Sequence, residues 1–118
     1  MRKVLIIEGQ EALKRELLCF FQRSGFGVLS TDSLKEAGLI VDSSRLLINV
    51  VVVDVGNEDE QAGIEVIKKY RSRFPASRII AISGSFGKEL CSGAIKAGAD
   101  RFLLTSGIFW KVLQREFK

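Results

Sequence analysis

Asp54 closes the run Asn49-Val50-Val51-Val52-Val53-Asp54-Val55. Four consecutive valines read as a strand buried on both faces, which leaves the carboxylate at the strand's carboxyl end, on the rim of a sheet. Other apolar stretches end in the same way. Glu8 and Gly9 follow the first, Ser83 and Gly84 the fourth, and Leu104 and Thr105 close the fifth. In open parallel sheets, ligands bind outside these carboxyl ends, where the strand order reverses. Two acids and a hydroxyl on one rim point to phosphate or metal chemistry. Each residue also has a plainer reading. Asp54 is then a carboxylate capping its turn. Glu8 is a surface-facing acid at a helix start, favoured by the dipole. Ser83 is a hydroxyl capping the next turn.

Alternating elements must carry this rim. Lys3 to Ile7 is a short apolar strand, and Gln10 to Ser24 carries Leu13, Leu17, Phe20 and Phe21 at helical spacing. Gly25 ends that helix as a left-handed cap. Gly27 to Ser30 is a second strand, and Thr31, Asp32 or Ser33 caps a helix bearing Leu34, Ala37, Ile40 and Val41. The third strand spans Leu47 to Val53. An acidic loop with Glu58, Asp59 and Glu60 follows Asp54, and Gly63 leads into a helix stopped near Phe74 by Pro75. Arg78 to Ile82 is a strand, Lys88 to Ala97 a helix, Arg101 to Leu104 a strand and Ile108 to Phe117 the last helix. Such alternation predicts an α/β fold, a doubly wound five-stranded parallel sheet in the order 2-1-3-4-5 with helices on both faces. All 118 residues are read as one domain, long enough to bury a core.

Composition narrows the chemistry. The chain has no histidine, which excludes Ser–His–Asp and Cys–His catalysis and histidine zinc sites. It has no apolar run near the roughly 20 residues of a membrane span. "MRKVLII" starts like a signal peptide, but Glu8 and Glu11 cut its apolar part short. Cys19 and Cys91 form no framework of bridges and read as small thiols within helices, in keeping with a reducing, cytoplasmic compartment. The net charge of +4 is spread, and its clearest cluster (Lys68, Lys69, Arg71, Arg73) lies late in a helix, where it complements the dipole. Nucleic acid is therefore a distant reading. "GSFGK" fails as a P-loop, because Ile82 and Glu89 stand where a glycine and a hydroxyl are needed. "GFG" at Gly25 to Gly27 precedes a strand, so it fails as a dinucleotide fingerprint.

The strings "KVLIIEG", "VVVDV", "RIIAISG" and above all "AIKAGADRFLL" resemble, in order, the receiver domain of two-component response regulators, over essentially the whole chain. The resemblance implies a flavodoxin-like, CheY-like three-layer fold and a signalling module, not a turnover enzyme. It implies Asp54 as the acceptor of a phosphoryl group from a sensor histidine kinase or phosphotransfer protein. Glu8, Asp54 and the Gly56 backbone carbonyl would hold magnesium. Ser83 would contact the phosphoryl group, and Phe102 would be the aromatic that follows the switch. Output would pass to a downstream protein effector through the fourth helix, fifth strand and fifth helix; Phe109, Trp110 and Val112 lie on that last helix, with Trp110 read either as core or as part of the partner face. The same face could pair two copies.

The departures are equally specific. Gly9 stands where the family has its second acid, and Thr105 and Ser106 where it has a lysine and a proline. The loop from Asp54 to Gly63 is one residue longer and lacks the family's proline. One fewer carboxylate weakens magnesium, and a lost electrostatic donor costs on the order of 10²–10³ in rate. A second reading follows from Gly9 and Thr105: a pseudo-receiver, an interaction module that works without phosphorylation.

Overall fold

The computed structural model describes residues 1–43, 47–56 and 59–117. Its elements run β1 (Lys3–Ile7), α1 (Glu11–Arg23), β2 (Gly27–Thr31), α2 (Leu34–Ser43), β3 (Val50–Asp54), α3 (Glu60–Arg73), β4 (Arg78–Ser83), α4 (Lys88–Ala97), β5 (Arg101–Leu104) and α5 (Phe109–Glu116). The five strands are all parallel, in the order β2-β1-β3-β4-β5. The expected doubly wound sheet is present. Its order reverses between β1 and β3, which opens a crevice at their carboxyl ends.

Strand alternation divides the core in two. Leu5, Ile7, Val51, Val53, Ile79 and Ala81 pack with Ala37, Val41, Ile67, Tyr70 and Ala94 of α2, α3 and α4. Val4, Ile6, Val50, Val52, Ile80 and Ile82 pack with Leu17 and Phe21 of α1 and Phe109 and Leu113 of α5. Both faces of β3 are therefore covered, and burial of each valine side chain contributes about 1.5–3 kcal/mol. Buried Tyr70 ties α3 to α2 by donating its hydroxyl to the Ala37 carbonyl at 2.9 Å.

Several boundaries move from their expected places. β3 starts at Val50, not Leu47. Leu47 is exposed, and Asn49 serves as a tie instead: its Oδ1 accepts the Lys3 N–H at 2.8 Å, its N–H donates to the Lys3 carbonyl at 2.9 Å, and its carbonyl accepts the Arg78 N–H at 2.8 Å. Helix α3 starts at Glu60, ahead of Gly63. Asp59 caps it through Oδ1, which accepts the Gln61 and Ala62 N–H groups. Gly63 lies inside the helix, where a Cβ would stand 3.2 Å from Val55, so the glycine permits close helix–strand approach. Ser33 is the α2 cap among the three candidates, with its Oγ accepting the Glu36 N–H at 3.1 Å.

At the C-terminus of α4, Gly98 has φ +127°, a conformation that favours glycine. A side chain there would also meet Arg71, whose Cγ would lie 2.8 Å from its Cβ. Cys19 is exposed, against the expectation of a buried thiol, because it lies on the solvent side of α1, two residues from buried Leu17 and Phe21.

Candidate functional site

The carboxyl ends of β1, β3 and β4 meet in one cleft of about 320 Å³. Glu8, Gln10, Leu13, Asp54, Gly56, Gly84, Ser85 and Thr105 line it. Parallel register sets the approach, since Ile7 pairs Val53 and Asp54 pairs Ile82, so the next residue of each strand emerges at the same edge. The sequence-derived group of Glu8, Asp54 and Ser83 is thereby brought together.

Glu8 is buried, with 1% of its surface exposed, which corrects its reading as a surface-facing acid. Its N–H donates to the Thr31 carbonyl at 3.0 Å, so the β1 backbone holds it down in the crevice. Its carboxyl accepts the Gln10 N–H and faces the Asp54 carboxyl. Its Oε2 has no hydrogen-bond partner among the described residues. Burial first, and then the Asp54 carboxyl, push its pKa from 4.5 up to about 8; the Gln10 N–H and Lys14 act in the opposite direction. A buried oxygen with no donor beside a second carboxyl is a place for a proton or a cation.

Asp54 is half-buried, and its Oδ1 accepts the Gly56 N–H at 3.0 Å. Gly56 is required sterically. A Cβ there would collide with Ser83 Oγ and come within 3.2 Å of Ser83 Cβ. Ser83 is fully buried at the end of β4. Its Oγ donates to the Ser85 carbonyl at 2.7 Å and accepts the Ser85 N–H at 3.2 Å, which is the turn-capping geometry. Its carbonyl accepts the Thr105 N–H at 3.0 Å and so sets Thr105 across the cleft. Phe102 lies back from this edge on β5. It is half-buried, with its ring edge-on to exposed Phe86 at 6.5 Å between centroids.

These oxygens fit a small hard cation. Two carboxylates and a backbone carbonyl, completed by waters, suit magnesium. Among the described residues no group of three or more acidic, cysteine or histidine side chains is assembled. Asn57 and Glu58, in the loop read as one residue longer than the family's, lie outside the described residues. No cis peptide occurs among the described residues, in line with Ser106 in place of proline.

With this geometry, the comparisons with known proteins are decisive. The family model described as "Response regulator receiver domain" matches residues 4–106. The chain belongs to the response regulator receiver family. This receiver is 26% identical over 103 residues to the virulence transcriptional regulatory protein PhoP of Salmonella choleraesuis (strain SC-B67), covering 87% of this chain and 45% of that one. It is 30% identical over 103 residues to the KDP operon transcriptional regulatory protein KdpE of Escherichia coli (strain K12), covering 87% and 44%. It thus spans less than half the length of these curated relatives. A response regulator of Burkholderia pseudomallei, solved with a phosphorylated aspartic acid, a calcium ion and citrate, superposes with a TM-score of 0.80 at 23% identity. That match covers 96% of this chain and 65% of the other.

Receivers are signalling modules of two-component systems and generally not turnover enzymes. They bind magnesium and interact with histidine kinases, phosphotransfer proteins and effectors. No helix among the described residues of this receiver is long and apolar enough to cross a membrane.

Sequence reading missed the part of the site that α1 supplies. Gln10 and Leu13 line the cleft of this receiver, and Lys14 acts on Glu8. The signal was available. Gln10, Leu13 and Lys14 stand at i, i+3 and i+4, so one face of the first turn must look at the strand end that precedes it.

Proposed function

We propose that this receiver accepts a phosphoryl group on Asp54 in a phosphorelay and passes the signal to a protein effector. The observation that carries the reading is the buried Glu8 carboxylate, whose Oε2 is unpartnered, set beside Asp54 on the rim. A protein gains nothing in stability from such an oxygen, whereas a divalent cation uses it. Glu8, Asp54 and the Gly56 carbonyl would hold magnesium. When bound, the ion screens negative charge and aligns the reacting oxygens.

The chain's own residues do the rest. The Gly56 N–H fixes Oδ1 and hence the direction of the Asp54 carboxylate. An Asp54 oxygen attacks the phosphorus of the donor. The bond from phosphorus to the donor's nitrogen or oxygen breaks, and the leaving group keeps that electron pair. The added charge of roughly −1 to −2 then needs donors at the rim. Ser83 Oγ is near enough to Gly56 to turn from Ser85 to a phosphoryl oxygen, and Phe102 would follow through the β4–β5 edge. The phosphorylated form is thereby favoured among pre-existing states, and the face of α4, β5 and α5 reads it out. Exposed Ile95, Leu104 and Ile108 give that face its apolar surface for an effector or a second copy.

One observation favours the second reading, a phosphorylation-independent interaction module. Ser83 Oγ is already satisfied in its turn, and none of the described residues that line the cleft is cationic. Incubation with magnesium and acetyl phosphate, followed by intact-mass measurement, separates the two. A single phosphoryl adduct that is absent in Asp54→Asn supports the acceptor. No adduct with acetyl phosphate or with any cognate kinase supports the interaction module.

A further inference from the structure

With a carboxylate pair, a future phosphoryl group and no lysine at the end of β5, the cleft lacks a cation among the residues that line it. The nearest part of the chain able to supply one is the first turn of α1. The Lys14 N–H donates to the Gln10 carbonyl at 2.9 Å, so Lys14 follows directly on Gln10 and Leu13, both of which line the cleft. Its side chain is only 18% exposed, although lysines on helix surfaces are usually solvated. Its partner is Glu11, 3.2 Å away and 68% exposed, a pair weak enough to exchange. Arg15 also reaches Glu11, at 3.8 Å, so Glu11 keeps a cation if Lys14 leaves.

We propose that Lys14 is the counter-charge of this site, swinging from Glu11 toward an anion on Asp54 and supplying from α1 the positive charge that Thr105 does not. The inference rests on Asp54 being the phosphoryl acceptor. Among the described residues the lysine pairs with Glu11 and not with Asp54. Its charge repels a cation bound at Glu8 and Asp54, and it attracts a phosphoryl oxygen once charge accumulates. A lysine that merely packs α1 would have neither effect.

These opposite signs make the test. Manganese alone probes the cation site, and beryllofluoride with magnesium probes the phosphorylated state, both titrated on the full chain at fixed ionic strength and above pH 8, where Glu8 is ionised. Lys14→Gln is expected to weaken beryllofluoride by on the order of tenfold while tightening manganese, and Lys14→Arg to keep wild-type behaviour in both. Unchanged constants in Lys14→Gln overturn the inference, and so does a parallel loss of both ligands, which would mark structural damage. If wild type takes no beryllofluoride, the acceptor reading fails and Lys14 falls with it. If wild type binds beryllofluoride and Lys14→Gln binds it equally well, only the role of Lys14 fails.

Discussion

The two ends of the sheet treat charge in opposite ways. At the amino end, charged groups are saturated. The Arg71 guanidinium donates to the carbonyls of Gly98, Pro75 and Ser77 and to Asp100, joining α3, the α3–β4 turn and the end of α4. Asp100 Oδ2 also accepts the Ile79 N–H at 2.8 Å. Glu116, whose side chain is 6% exposed, takes both Arg78 and Arg101. At the carboxyl end, Glu8 is equally buried yet keeps an oxygen with no donor. The first end spends its charges on holding elements together. The second leaves them available, and that unmet demand is what a ligand can use.

The comparison breaks first at Arg71. Truncation to Met should leave the Gly98 and Ser77 carbonyls without the Arg71 donor and Asp100 with only the Ile79 N–H, at a cost of about 2–4 kcal/mol in urea denaturation. Lysine should restore less than half of that, since it lacks the fork. Acetyl-phosphate labelling of whatever remains folded should be unchanged, because the lesion lies at the other end.

A gain at the cleft should be somewhat smaller. Thr105→Lys returns a cation beside Asp54, and labelling by acetyl phosphate should rise by roughly 10–100-fold, read as the rate of adduct formation by mass. An unchanged rate would mean that the cleft does not lack charge.

The third effect tests the orphaned oxygen itself. Glu8 has a pKa of about 8 when folded, against 4.5 ordinarily. Between those values the native state holds a proton that the unfolded chain has released. Without divalent cations, stability should therefore be greatest below about pH 4.5 as far as this group is concerned, and fall as pH rises toward 8. The total loss would be on the order of 1–4 kcal/mol, because Asp54 shares the effect. Glu8→Gln should flatten this slope, and magnesium should offset it by replacing the proton. A wild-type slope that Glu8→Gln leaves in place would remove Glu8 as its origin.

Much of this was legible in the chain. Strand alternation and the valine run predicted the sheet, its order and the rim on which Asp54 stands, because period-two burial and right-handed crossovers leave few topologies. Gly25 marked the end of α1 through the left-handed backbone that it adopts. Less legible was anything that depends on depth. Glu8 read as a surface acid because a carboxylate beside Gly9 at a helix start is usually solvated, and only the packing of β2 beside β1 shows it buried. Arg71 read as one of four cations suiting a helix dipole. Its actual partners lie 27 and 29 residues away at Gly98 and Asp100, a distance that no local pattern reports.

The amino-acid order by itself determined which side chains arrive at the rim, since strand length and the parity of side-chain direction are local properties. The order also puts no acid at Gly9 and no cation at Thr105. Tertiary structure alone decided how those side chains are solvated and what they face. It put Glu8 against Asp54, turned Ser83 Oγ into its own loop and covered Lys14 beside the cleft. Solvation and Coulomb energy depend on distance and burial in three dimensions, and neither is written in the spacing of residues along a chain.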